Sequence, residues 1–275
     1  MKTKWLIALL FICNNMLAQK DYNFLIGGGI GYRYSDDNSG ITKSNFIKKQ
    51  EHLLQLNPTI GYFFSKNFGI STGLGYNSFS TELSLNSYTN KFNSTDSENE
   101  TYERRVTGSD IKELQKISFL NVPFCINFQI PIGSKSGFFL QAGVNLSIPM
   151  SKEYNSSGTF TFTGYYPAYN VPLQDLPAYG FPSNTPIATN GNLKLKPTVS
   201  DGLARAGFQL LISGKIQIAL GITYYRSLSN ISKYTSQDKF QLTSDIDQIN
   251  SMMGGSSQTT TQSVGLSLSF RYYLK

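Results

Sequence analysis

The chain has 275 residues, of which 40% are hydrophobic and 15% charged, and its formal net charge is +7. A charge that modest, with no Arg/Lys block interleaved with aromatics, sets nucleic-acid binding aside and fits a solvated surface beside anionic lipid headgroups. Beyond the first residues no window is long and apolar enough for a transmembrane helix.

Residues 1–18 read as an export signal: Lys2 and Lys4 precede an apolar run, Trp5–Cys13, and Ala18 offers a small residue for cleavage. The mature domain is then 19–275, with Cys125 as its sole cysteine and no disulfide. Strand-like runs follow near Tyr22–Tyr34, Leu53–Phe64, Asn67–Tyr76, Ile117–Ile130, Gly137–Ile148, Leu203–Ser213, Ile216–Tyr225 and Ser263–Leu274. The connections after the second, fourth and sixth are tiny: Ser65-Lys66, Pro131–Ser136 and Gly214-Lys215. The others are long and polar. Short periplasmic turns alternating with long outer loops mark an outer-membrane barrel.

Successive strand residues face opposite ways. Phe124, Ile126, Phe128 and Ile130 alternate with Cys125, Asn127 and Gln129; Leu140, Val144, Leu146 and Ile148 alternate with Gln141, Asn145 and Ser147. A soluble β fold would bury the apolar set, but its exterior would then be Gly, Ser, Asn and Gln with almost no charge, a poor fit to water. Lipid outside and a polar interior are therefore expected. The fold class is all-β: an eight-stranded antiparallel up-and-down transmembrane barrel whose side chains fill the lumen, with no open pore. Arg33, Asn57, Asn121, Asn127, Gln129, Gln141, Arg205, Gln209 and Arg271 are expected inside, hydrogen-bonded to one another. Phe24, Phe64, Phe68, Phe128, Phe138 and Tyr272 fall near the short-turn end, and Tyr32, Tyr34, Tyr76 and Tyr224 near the other, as two interfacial girdles.

The long connections are where function is expected. The first carries Asp36-Asp37 and Lys48-Lys49; the second, about Asn86–Lys112, carries Asp96, Glu98, Glu100 and Glu103 beside Arg104-Arg105. Mixed charge there reads as a solvated rim meeting lipopolysaccharide. The third, about Met150–Gly202, carries Tyr154, Phe160, Phe162, Tyr165, Tyr166, Tyr169, Tyr179 and Phe181. These form either a plug packing on itself or an interaction surface for a glycan, peptide or protein. Gly158–Thr163 and Leu193–Thr198 read as the two arms of a hairpin within it. The fourth, about Ser227–Gln262, reads as polar loop ending near Met252-Met253-Gly254-Gly255. Catalytic residues, metal ligands and cofactors are not indicated: no Gly-x-Ser-x-Gly elbow or His-Glu-x-x-His occurs, and His52 is the single histidine. A lipid-modifying enzyme using His52 at the rim is the weaker competing class.

The run Phe119-Leu120-Asn121-Val122-Pro123-Phe124 resembles the Tyr-Leu-x-Ile-Pro-Leu strand start of the small Gram-negative outer-membrane β-barrel domain family that includes PorT-like proteins. Asp201-Gly202 leading to Ala206-Gly207-Phe208, and Tyr224–Ile231, resemble its sixth strand and its exit from the seventh, with Ser227 where glycine is common. The resemblance implies an integral outer-membrane protein inserted by the barrel assembly machinery, with a structural or surface-interaction role. A component of a protein secretion or transport machinery is the alternative it implies, docking partners through its turns or third loop.

Overall fold

A computed structural model describes residues 24–39, 46–50, 53–234, 241–256 and 259–274. The signal segment, residues 1–18, and His52 lie outside them. The strands are β1 (Phe24–Ser39), β2 (Phe46–Gln50), β3 (Leu53–Phe63), β4 (Phe68–Gly73), β5 (Gly75–Thr95), β6 (Thr101–Ile132), β7 (Ser136–Tyr166), β8 (Val171–Leu173), β9 (Thr185–Asn192), β10 (Val199–Ser213), β11 (Ile216–Ser227) and β12 (Thr259–Leu274). β4 and β5 are one wall strand interrupted at Leu74, whose amide donates to the Pro58 carbonyl at 3.0 Å.

Eight antiparallel wall strands close a ring in the order β1, β3, β4/β5, β6, β7, β10, β11, β12, with β12 returning to β1 from Phe24↔Leu274 to Ser39↔Thr259. Closure removes the unpaired backbone edge that lipid cannot satisfy. The tight turns lie at one end. At Ser65 the hydroxyl accepts from the amides of Asn67 and Phe68. Gly133, at φ +68°, turns β6 into β7.

The strand faces fall as the alternation requires. Phe124, Ile126, Leu140, Val144, Leu220, Ile222, Leu266 and Phe270 are exposed on the outside of the ring. Asn121, Asn127, Gln141, Asn145, Gln209, Gln217, Thr223, Ser267 and Arg271 are buried inside it. The aromatics Phe24, Tyr62, Phe64 and Phe68 meet edge-on or stacked at the turn end, as one interfacial belt.

The second and third long connections differ from expectation. They are continued strands: β6 and β7 are 32 and 31 residues long, against about 10 for a membrane crossing. The β5–β6 hairpin runs to Thr95↔Thr101 and the β6–β7 ladder to Glu103↔Tyr165. β2 lines β5, and β9 and β8 line β7. The result is an arm reaching roughly 50 Å of strand length past Met150. The return strand is β9, paired with Glu153–Phe160, rather than Leu193–Thr198. It lies on the arm and leaves the ring at eight.

Two bulges turn the strand faces over. The β6–β7 register shifts between Ser118 and Phe119, passing over Met150, and again between Ser109 and Lys112 around Asp110, which sits at φ 51°. In β7 the inward residues are odd up to Ser147 and even from Tyr154 onward. A bulge gives one strand an extra residue, and with a period of two that reverses its faces.

Candidate functional site

The lumen is a ladder of polar side chains. At the turn end Arg271 donates to Gln209 at 3.3 Å and its guanidinium lies 4.9 Å over Phe139; Gln209 donates to Gln129, and Gln129 donates to Tyr273. At mid-height Gln141 donates to the Ser71 hydroxyl, which also binds Asn127. Arg205 donates to Thr223 at 3.1 Å. Near the outer mouth Asn145 and Ser147 donate to Asn121, and Ser147 and Ser227 donate to the Asp201 carboxylate. Arg33 stacks 4.1 Å from the Tyr225 ring and donates to Ser263. All nine interior residues singled out from sequence, Arg33, Asn57, Asn121, Asn127, Gln129, Gln141, Arg205, Gln209 and Arg271, are brought together inside the ring, Arg205 half-buried and the rest buried. A small cavity of about 40 Å³ lined by Arg33, Asn77, Asn121 and Asp201 interrupts them at the mouth. It has room for a few waters. Cys125 is a buried free thiol.

Above the mouth the arm has its own apolar core. Leu83, Leu85, Val106, Ile111, Phe160, Phe162 and Ile187 pack with Leu242, Ile249 and Met252. Nearer the barrel, Ile117, Phe119, Tyr154, Leu193, Leu195, Ile231 and Met253 form a second cluster. Gly108 makes room for Phe160, since a Cβ there would come within 2.7 Å of the ring. Residues 241–256 are therefore a strap over the arm rather than a free polar loop, with Met252, Met253 and Gly254 buried.

The strap is held by Glu113, a carboxylate with no exposure. It accepts from Gln115 and Ser156 at 2.6 Å each, and from the Ser251 hydroxyl and the Met252 amide of the strap at 2.8 Å each. A buried charge is tolerated only when its lone pairs are met in this way. Tyr154 adds a bond to the Ile249 carbonyl, and Thr189 accepts from the Ile249 amide. Nothing in the sequence around Glu113 marks it, because its strap partners lie 138 and 139 residues away.

At the far end of the arm two hairpin tips are bound into one platform. The Asp96 carboxylate accepts from the amides of Glu98 and Glu100 and from the Tyr166 hydroxyl. Those bonds, the Glu100 amide foremost, hold Asp96 below its ordinary value. Loss of hydration, then the bond to Asp96, pushes the Tyr166 phenol up to about 12. Tyr169 donates to Glu100 at 2.7 Å. Tyr102 stacks on Tyr166 and meets Phe181 edge-on, and Arg104 lies over Phe162 and Phe181 while donating to the Gly180 carbonyl. Glu103 pairs with Arg105 and Lys91, and the Arg105 bond is the main cause of its lowered pKa.

The eight aromatics proposed as one surface thus divide. Tyr154, Phe160, Phe162 and Phe181 are core and cannot contact a partner; Tyr165 and Tyr166 are half-buried; Tyr169 and Tyr179 are 62% and 74% exposed. The buried set packs within the arm, against strap and strands, above the barrel mouth. Among the described residues no group of three or more His, Cys, Asp or Glu is placed to hold a metal.

The profile of the outer membrane protein beta-barrel domain family matches residues 17–233. No curated protein matches the chain. Neisserial surface protein A is similar at 8% identity over 91% of this chain and 97% of that one, with a TM-score of 0.41. The outer membrane protein OprG from Pseudomonas aeruginosa is 14% identical over 93% and 97%, with a TM-score of 0.36. Ail, the attachment invasion locus protein of Yersinia pestis, solved with the heparin analogue sucrose octasulfate, is 10% identical over 91% and 99%, with a TM-score of 0.30. Likeness at this level adds nothing to the architecture, which rests on the strand pairing.

Proposed function

The chain belongs to the outer membrane protein beta-barrel domain family, and on that premise we propose that it is a non-catalytic surface protein whose barrel anchors a self-folded arm outside the cell. The observation that carries this is the inversion of burial between the two parts. The ring exposes its apolar residues, as lipid requires, while the arm buries its own, as water requires. Lys116 and Arg226 are exposed on the outward face of β6 and β11, just beyond the apolar belt. That placement supports contact with the anionic headgroups of lipopolysaccharide. The packed lumen supports a closed barrel without a solute pathway.

Residues 1–18 as a signal peptide and insertion by the barrel assembly machinery belong to the same reading. The closer kinship with PorT-like barrels rests on Phe119–Phe124 and on Asp201-Gly202 with Ala206-Gly207-Phe208. A secretion-machinery role is the second reading, favoured by an arm long enough to meet a partner well away from the membrane.

The test is outer-membrane fractionation with boiled and unboiled gel mobility, followed by protease treatment of intact cells. Heat-dependent mobility together with trimming confined to the arm is expected. Recovery in the periplasm, or an arm that resists external protease yet is cut after cell lysis, would refute the reading.

A further inference from the structure

We propose that the far end of the arm docks a cationic segment of a partner protein, one bearing Lys or Arg side chains. The proposal deepens the surface-protein reading and rests on it.

Tyr169, Val171, Leu176 and Tyr179 are 62%, 43%, 37% and 74% exposed. All four lie in the β7–β8 turn, in β8 and just after it, on a tip fixed from below by the Tyr102–Tyr166 stack and the Arg104 bond to Gly180. They are therefore an apolar surface on an ordered support. The strand exteriors lower on the arm carry Asn155 and Ser157 instead, so the patch is local to the tip.

The charge around the patch selects the partner. Glu98 and Asp175 are exposed beside it, and Asp96 and Glu100 form the adjoining turn. Among the described residues the positive groups of the tip are already engaged. Arg104 is taken up by two rings and a carbonyl, and Arg105 and Lys91 share Glu103. Next to the patch, between the β8–β9 connection and the strap, lies an open hollow of about 510 Å³. Asp175 and Asp247 supply its charge, Pro177, Pro182 and Ile246 its apolar walls, and among the described residues none that lines it is basic. A Lys or Arg side chain matches that combination, with an aliphatic stem for the walls and a charged head for the carboxylates. The exposed tyrosine faces attract the same cations. An anionic lipid surface is the wrong sign for this end, and the basic residues that suit it sit at the other end of the arm.

The experiment uses the full-length protein in lipid nanodiscs, with a short oligo-lysine peptide as probe and oligo-glutamate and a neutral oligosaccharide alongside. Oligo-lysine is expected to bind saturably and more weakly as salt rises. The pairs Tyr169→Ala with Tyr179→Ala, and Glu98→Gln with Asp175→Asn, should each weaken it about tenfold, the scale of losing an interface anchor. Asp175 sits at φ 56°, a conformation asparagine also accepts, so that pair tests charge rather than folding. Glu153→Gln, at the base of the arm, should leave binding unchanged. Equal binding of oligo-glutamate or the oligosaccharide, or tip variants that bind like the parent, would overturn the proposal. Labelling of Tyr179→Cys on intact cells by a membrane-impermeant thiol reagent separates the two levels. Labelling without oligo-lysine binding sinks the docking proposal alone, whereas no labelling sinks the surface reading beneath it.

Discussion

The barrel and the arm are built from the same strands and obey opposite rules. In β7 the exposed side chains from Phe138 to Ile148 are apolar and the buried ones, apart from Phe139 beneath Arg271, are the polar Gln141, Asn145 and Ser147; from Tyr154 to Phe162 the buried ones include Tyr154, Phe160 and Phe162 and the exposed ones are Asn155 and Ser157. The backbone runs on as one strand, with a bulge at Met150 between the two stretches. The solvent changes, from lipid to water, and one extra residue re-aims each face to suit it. The comparison shows that a strand's alternation reports which solvent it faces only within one phase, and that a bulge can mark where one medium ends.

Substitutions sharpen that contrast, beginning with the arm's core. Phe160→Ala removes a ring with no exposure and should cost the arm about 3–5 kcal/mol. Hydrogen exchange across β7 and the strap would rise, while the heat-dependent mobility of the barrel stays. Loss of both together would mean that arm and barrel are one cooperative unit. Next comes a charge on the lipid face. Leu220→Arg, at the middle of β11 and 58% exposed, should cost about 2–4 kcal/mol because the bilayer interior rejects it. Asn155→Lys on the exposed face of the arm, where water is the solvent, should change stability by less than about 0.5 kcal/mol. Urea titrations of both variants in vesicles would check the pair, and equal costs would erase the distinction between the two media.

Glu113→Gln tests the strap. It keeps the shape but discharges a carboxylate that accepts four bonds, and should loosen the strap by about 2 kcal/mol. Faster proteolysis within 241–256 would register it, and unchanged proteolysis would mean the apolar contacts of Leu242, Ile249 and Met252 suffice. The smallest effect is the pH response of the tip. Tyr166 is raised in the folded arm to about 12, above an unfolded phenol near 10. Its contribution is therefore complete below about pH 10 and is lost as pH rises through 12. Asp96 is lowered, so its contribution is present above about pH 4, its unfolded value, and is lost as pH falls through the folded one. Amide exchange at Glu98 and Glu100 should quicken at both extremes; quickening at neither would remove the Asp96–Tyr166 link from the account.

The barrel was legible in the sequence because lipid enforces a period of two with the polar set on the inside. β6, β7, β11 and β12 show it over Leu120–Ile130, Phe138–Ile148, Ile216–Tyr224 and Val264–Leu274, with few apolar residues such as Phe139 in the inward set. The arm was not legible. Its strands carry charges such as Lys112, Glu113 and Lys116, which read as loop, and its phase breaks at Asp110 and Met150. The strap's anchors, Leu242, Ile249, Met252 and Met253, follow no period at all, since each simply reaches a gap between strands far away in sequence. Of the eight aromatics singled out together, proximity in sequence could not tell the buried Phe160 from the exposed Tyr179.

The most direct measurement is single-cysteine accessibility along β7 in intact cells, with Cys125 replaced by Ser. The account predicts that positions 140, 144, 146 and 148 react with a lipid-soluble reagent while 141, 145 and 147 do not. Beyond Met150 positions 155 and 157 should react with an impermeant aqueous reagent, while 154, 156, 160 and 162 stay protected. One unbroken phase through Met150, or no aqueous labelling at 155 and 157, would contradict an inside-out barrel continued by an outside-in arm.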